Sequence, residues 1–393
     1  MGRRGAGSLI GLDVGTTGAR ALAVDLGGNV IASASDEYPI SVPRPGWAEQ
    51  DPEQWWTSSR HVLSRVVSQL HDPPLCLGLT GQMHGSVFLD AGDSVIRPAL
   101  LWSDQRTAVQ CASITDRVGR ERLVSITGNP AVPGFQAPKV LWLHDEEPVS
   151  YGRVRRVLLP KDYVRLRLTG EYATDVSDAS GTLLLDLRRR NWSDEVLRAL
   201  EIPRDWLPAV HESPTIAGEV GAGIAKAIGL PARLPVAAGA GDNAASAIGN
   251  GIVQEGLVSS SIGTSGVVFA HSDSMRTDPS GRLHAFCHAI PGQYHLMGVT
   301  LSAGGSLRWW RDASGTALDY DGMASLAAEA SPGSEGLLFL PYLAGERTPH
   351  LDPDARGAFV GLNLRHTLAH MTRAVMEGVV YSLKDCLDLI QVL

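Results

Sequence analysis

Cysteine is scarce in this sequence: four in 393 residues, at positions 76, 111, 287 and 386. Spacings this wide exclude a CxxC redox or zinc motif and a disulfide scaffold, and they read as buried free thiols in a reducing cytoplasm. Long apolar runs are missing too. No stretch approaches the roughly 18–20 residues that a membrane helix needs. Asp13 interrupts the first apolar segment at once, so no secretory signal is read there. Positive charge is not in excess either, since 34 Lys and Arg stand against 42 Asp and Glu for a net charge of −8. That balance argues against nucleic acid or an anionic membrane surface as partner. With 44% hydrophobic and only 19% charged residues, the composition is that of a globular chain with a large core. The length leans towards two or three domains.

Glycine is plentiful, at 43 residues, and its placement is informative. Leu9–Val14 reads as a strand, Gly15-Thr16-Thr17-Gly18 as a tight turn, Ala19–Leu26 as a second strand and Val30–Tyr38 as a third, an antiparallel meander. Asp51 then reads as an N-cap with Pro52 at the first helical position and Gln54 closing a capping box, for a helix running towards Leu70. Leu75–Thr80 is a short apolar strand of the kind buried in a parallel position. Gly81-Gln82-Met83-His84-Gly85 follows at its carboxyl end, where open α/β sheets bind ligands. Leu234–Ala238 is another strand. It feeds Gly239-Ala240-Gly241-Asp242-Asn243 and a small-residue helix from Ala244, an arrangement suited to phosphate or to a poised polar side chain. Most tryptophans, Trp55, Trp56, Trp142 and Trp309 among them, read as packing.

The pattern then restarts. Leu257–Ile262, the turn Gly263-Thr264-Ser265-Gly266 and Val267–Ala270 repeat the first hairpin, which suggests a duplicated domain. The second copy is the shorter one. It ends in an amphipathic helix, His370 to Leu393, with no closing strand–glycine–helix element, so it is expected to be incomplete.

Neither glycine turn is a Walker A loop, and no GxGxxG follows a strand within a βαβ unit. A Gly-Thr hairpin nevertheless presents consecutive N–H groups and hydroxyls. Two such turns suit a polyphosphate held from both sides, although each alone is equally a plain hairpin turn. Asp13, two residues before the first turn, suits Mg²⁺ held through water. Asp242 reads either as an N-cap carboxylate or as the general base that phosphoryl transfer to an alcohol requires.

These residues resemble the FGGY family of carbohydrate kinases. The resemblance covers essentially the whole chain. It rests on Ile10–Arg20 (IGLDVGTTGAR), Trp47–Trp56 (WAEQDPEQWW), Thr80–Gly85 (TGQMHG), Leu159–Asp186 (LPKDYVRLRLTGEYATDVSDASGTLLLD), Gly239–Asn243, Ser261–Gly266 (SIGTSG), Leu340–His350 (LPYLAGERTPH) and Gly357–Glu377. One departure is Gln136, where the family prefers a small hydroxylated residue or Pro.

The resemblance implies two actin-like (ribonuclease H-like) α/β domains around a cleft, residues 1–251 for sugar and catalytic base and 252–393 for nucleotide. The second domain is expected to be truncated before the family's glycine-rich adenosine-binding motif. The implied activity is ATP-dependent phosphorylation of a sugar, most closely D-xylulose to its 5-phosphate, in the cytoplasm with ATP and Mg²⁺. The alternatives are a sugar-binding remnant without turnover, or action on another polyol or ketose. A homodimer is the implied assembly. Carried over by position, Asp242 is the base, Met83, His84 and Asn243 meet the sugar, and Thr16, Thr17, Gly263 and Thr264 line the phosphates. Gly304 and Arg308 meet the nucleotide, and Asp13 the metal. Asp104 and Arg106 either line the sugar pocket wall or simply pair with each other. His84 is alternatively a satisfied buried histidine.

Overall fold

Strict alternation builds the first sheet. In β1 (Ser8–Val14) Ile10, Leu12 and Val14 point inward, and in β2 (Gly18–Asp25) and β3 (Val30–Glu37) the inward positions are mostly alanine. These small side chains let α1 (Pro52–Val67) lie close against the sheet, with Trp55, Trp56, Val62, Leu63 and Val66 buried in the same core. Fully burying an aromatic or aliphatic side chain of this size contributes roughly 1.5–3 kcal/mol. The structure is a computed structural model and describes residues 7–393.

Asp51 caps α1 by accepting the Glu53 N–H, and Pro52 takes the first turn. The Gln54 N–H bonds the Asp51 carbonyl, so the cap is made by Asp51 alone rather than by a reciprocal glutamine. The helix ends at Val67, with Ser68 as its C-cap, one turn short of Leu70.

β4 (Pro74–Gly81) pairs parallel with β1, Asp13 opposite Thr80 and Val14 opposite Gly81. β5 (Ile216–Glu219) and β6 (Pro235–Ala237) complete the order β5-β6-β4-β1-β2-β3. The strand expected at 234–238 is observed over 235–237. It breaks at Gly239 and resumes as β7 (Ala240–Gly241), which again lies parallel to β4, with Ala240 opposite Thr80. Gly239 has φ +79°, and a Cβ there would stand 2.1 Å from the Leu79 carbonyl oxygen. Only glycine fits this approach. Further helices of this region are α2 (Gln136–Glu146), α3 (Pro160–Thr169), α4 (Val176–Ala179) and α5 (Asp242–Gly249).

Two compact units divide the chain. One runs up to Gly251 and takes in Phe286–Tyr294; the other comprises Ile252–Ala285 and His295–Leu393. In the second, β8 (Val258–Ile262) and β9 (Gly266–Ser272) pair antiparallel across the Gly263–Ser265 turn, repeating the hairpin of β1 and β2. α6 (Gly304–Ser314) follows, and the long α7 (Leu368–Val392) buries Ala374, Val375, Val379, Leu383 and Cys386 in two apolar clusters. The four cysteines are free, three of them buried and Cys76 half-buried. Of the four tryptophans read as packing, Trp55, Trp56 and Trp142 are buried, whereas Trp309 is exposed and stacks on Phe339. Among the described residues no helix is long and apolar enough to cross a membrane.

Candidate active site

Three parallel strands end side by side. β1 runs into the Gly15–Gly18 turn, β4 into Gln82-Met83-His84, and β7 into Asp242. The register alone therefore gathers three of the glycine-rich segments at the carboxyl edge of one sheet, where α/β sheets place their ligands.

Asp242 opens α5 as its first helical residue, with Gly241 as the N-cap. It is therefore not itself the N-cap. Its Oδ1 accepts the Asn243 N–H at 2.7 Å and Asn243 Nδ2 at 2.9 Å. Loss of hydration pushes the carboxyl up to about 7. The negative charge of Asp13 adds to that push, and the Asn243 hydrogen bonds oppose it. A carboxyl poised near neutrality is what a general base at physiological pH needs. Asp13 is itself raised by burial, against the lowering pull of Arg20. Asp13 Oδ1 and the adjacent Thr80 Oγ1 are buried without a hydrogen-bond partner. Asp13 also lines a cleft of about 940 Å³ together with Arg20, Thr80, Gly239 and Ala240. An unpartnered carboxylate oxygen beside a hydroxyl fits Mg²⁺ or its bound water. No group of three or more His, Cys, Asp or Glu able to hold a metal occurs among the described residues.

Met83 is buried against Gly241, where a Cβ would come within 2.9 Å of its Cγ. His84 adopts φ +66°, an uncommon conformation for a non-glycine residue. Its ring sits edge-on to Phe135 at 4.6 Å, and Nδ1 lies 2.6 Å from the Gly181 carbonyl oxygen. The backbone is pinned from below. Lys139 Nζ, fully buried, donates to the His84 and Gly134 carbonyls, each at 2.8 Å. Burial pushes this lysine down to about 7. Gln136, the departure from the family pattern, donates from Nε2 to the carbonyls of Gly85 and Leu158.

The first glycine turn is held by residues the sequence did not single out. Tyr38 Oη donates to the Gly15 carbonyl at 2.7 Å, Gln50 Nε2 to the Thr16 carbonyl at 2.7 Å, and Trp102 Nε1 to the Thr16 hydroxyl at 3.0 Å. Gln82 Nε2 bonds Gln50 Oε1, which also accepts the Trp55 indole N–H. Gln50, Trp55 and Gln82 fall inside family-like motifs, and Gln82 stands at the strand end expected to bind ligand, but none of this signalled the bonds to the turn. Thr17 joins the same turn, its carbonyl accepting the Tyr38 N–H.

Asp104 and Arg106 pair with each other, Arg106 Nη2 to Asp104 Oδ2 at 2.7 Å, and both side chains are buried. Arg106 also meets Glu49 at 2.8 Å and lies over the Trp47 ring at 3.5 Å. In the second unit, Gly263, Thr264 and Gly304 come together. The N–H groups of Ala303 and Gly305 bond the Thr264 carbonyl, and that of Gly304 bonds the Gly263 carbonyl. A Cβ on Gly304 would stand 2.6 Å from the Gly263 oxygen, so this docking needs glycine. Arg308 is exposed one turn along α6.

Residues 8–249 match the N-terminal domain of the FGGY family of carbohydrate kinases, and residues 258–392 match its C-terminal domain. The xylulose kinase of Escherichia coli (strain K12) is 45% identical over 383 residues, 97% of this chain and 78% of its own length. The gluconokinase of Bacillus subtilis (strain 168) is 32% identical over 97% of this chain and 77% of its own. Among solved structures, a xyloylose kinase from Brucella ovis superposes with a TM-score of 0.91 at 42% identity, covering 98% of this chain and 79% of that one. The C-terminal domain of the family is matched from 258 to 392, and the chain spans 78% of the length of the Escherichia coli enzyme.

Proposed function

Since the chain belongs to the FGGY family of carbohydrate kinases, with that family's two-domain actin-like fold, we propose that it transfers the γ-phosphoryl group of ATP to the terminal hydroxyl of D-xylulose, with Asp242 as general base. As a sugar kinase it is a phosphotransferase to an alcohol. The observation that carries the finer reading is the carboxyl of Asp242. It stands at the end of β7 beside the segment bearing Met83 and His84, and is held near neutrality by burial and by Asp13. Similarity to xylulose kinases at 44–45% identity favours a pentulose over gluconate.

In this reading Met83, His84 and Asn243 hold the ketose. Asp242 takes the proton of the terminal hydroxyl as its oxygen attacks the γ-phosphorus, and the bond to the bridging oxygen breaks to release ADP. Thr16, Thr17, Gly263 and Thr264 serve the phosphates through N–H and hydroxyl donors that can meet accumulating charge. Gly304 and Arg308 serve the nucleotide. Asp13, with Thr80 beside it, would hold Mg²⁺, which when bound offsets phosphate charge. Asp104 and Arg106 act through the 47–49 segment, where Asp104 accepts the Ala48 N–H and Arg106 meets Trp47 and Glu49.

The test is sugar-dependent ADP release with D-xylulose, glycerol and gluconate in parallel. The reading predicts kcat/KM at least about tenfold higher for D-xylulose, a ratio that about 1.4 kcal/mol of differential transition-state binding supplies. Preference for gluconate would overturn the substrate assignment.

A further inference from the structure

The segment Leu159–Asp186 is family-like, yet no residue in it was assigned to the site by sequence, although its Gly181 carbonyl meets His84. It contains five ionisable side chains with no exposure at all: Lys161, Asp162, Arg165, Asp175 and Asp178. Lys161 Nζ meets Asp162 at 2.7 Å, Asp175 at 2.9 Å and Asp178 at 3.2 Å, and Arg165 meets Asp162 at 2.8 Å. A buried ion cluster of this kind adds little net stability, because desolvation offsets the attraction. Its connections point elsewhere. Arg165 Nη2 donates to the Ala238 carbonyl. Asp175 Oδ2 accepts the Ser177 N–H at 2.8 Å, the Ser177 hydroxyl at 2.5 Å and the Ser213 hydroxyl at 2.8 Å. The Ser177 oxygen in turn accepts the Gly241 N–H at 3.1 Å, and the Ser213 carbonyl accepts the Gly239 N–H at 3.0 Å. The four-residue turn Ala238–Gly241, which delivers Asp242, is thus gripped at three backbone atoms, each tied to this cluster or to a serine bonded to Asp175.

We propose that Asp175 and Ser177, braced by Lys161 and Arg165, are positioning residues that set where the Asp242 carboxylate stands. The proposal rests on Asp242 being the base. A charged cluster suits this task because Asp175 draws its hydroxyl partners in with short charge-assisted bonds. Lys161 meets that carboxylate at 2.9 Å, and Arg165 is tied to Lys161 through Asp162. The turn itself has only small residues, which pack closely on Leu79 and Met83 but carry no side-chain hydrogen bond of their own.

The test compares Ser177→Ala with Ser180→Ala. Ser180 is equally buried, and its hydroxyl likewise accepts a backbone N–H, that of Cys287 at 3.0 Å, but it does not hold the Asp242 turn. Ser177→Ala is expected to lower kcat about 10–100-fold, the scale of an ångström-level misplacement, with KM for D-xylulose within twofold of wild type. Ser180→Ala, at a similar fall in Tm, should keep kcat within threefold. Equal losses of kcat in the two variants would overturn the positioning role. If alanine at 177 does not fold, Ser177→Cys keeps the volume with a weaker acceptor and makes the same comparison. Asp242→Asn is assayed alongside. If it stays active, the base assignment itself fails. If it is inactive while Ser177→Ala matches wild type, the base stands and only the positioning claim is lost.

Discussion

At the scale of the residue, the chemistry and the stability of this protein pull Asp242 in opposite directions. Its carboxyl is raised from 3.8 to about 7, chiefly by burial. The folded state therefore favours the protonated form. Stability from this group is present below its unfolded value near 3.8 and is lost as pH rises through 7. At pH 8 the ionised, half-buried carboxylate is a cost. Asp242→Asn should consequently be more stable than wild type at pH 8 by about 1–3 kcal/mol, and the advantage should shrink towards pH 4; urea titrations at the two pH values measure it. The same substitution should cut turnover 10²–10⁴-fold, or about 3–5 kcal/mol in the barrier. The places of Asp242, Met83 and His84 were legible in the sequence because each follows a strand end within three residues. The bracing by Gln50, Tyr38 and Trp102, and the bond from Gln82 to Gln50, were not. The partners they hold lie from 23 to 86 positions away in the chain, and no local pattern encodes such a pairing.

At the scale of the element, the site is a matter of where strands stop. β7 exists as a separate piece because Gly239 bends the chain against Leu79, and this bend turns Asp242 onto α5. Gly239→Ala places a Cβ into a backbone oxygen at a positive φ. It should destabilise the protein by more than about 3 kcal/mol, read as a fall in the urea midpoint. Unchanged stability would mean that the bend is softer than its geometry. The hairpin after β1 depends on the side chains beneath it. Gln50→Ala strips the donor from the Thr16 carbonyl and the acceptor from the Trp55 indole. Its expected effects are about 2–3 kcal/mol of lost stability and a raised KM for ATP, with the KM for sugar much less affected. The helix after Asp51 was legible at its start, where Pro52 and the cap mark the entry, and misjudged at its end. The chain between Val67 and Pro73 has polar residues that fit either outcome, and the structure stops the helix at Val67.

At the scale of the whole molecule, the two units divide the proposed labour. Met83, His84, Asp242 and Asn243 belong to the first, and Gly263, Thr264, Gly304 and Arg308 to the second. Sugar binding is then a property of the first unit. D-xylulose alone should raise Tm, by an amount corresponding to about 2.7 kcal/mol at 100 times its Kd. That shift should survive Gly304→Val, whose side chain collides with the Gly263 carbonyl and should abolish turnover. Loss of the sugar shift in this variant would contradict the division. The repeated hairpin was legible because its turns are nearly identical in sequence. The membership of Phe286–Tyr294 in the first unit was not, since it depends on the ring of Phe286 meeting His84 and Phe135, far off in the chain. The buried ion cluster was hidden for a similar reason, as charged residues on α3 read as a solvated face until their partners are known.

The central claim is that Asp242 takes the proton, and the pH dependence of kcat/KM for D-xylulose tests it most directly, measured on wild type and Asp242→Asn. The account predicts a wild-type rate that rises tenfold per pH unit and levels off near pH 7, and a variant at least a hundredfold slower without that limb. A variant within tenfold of wild type that keeps the same acid limb would contradict it.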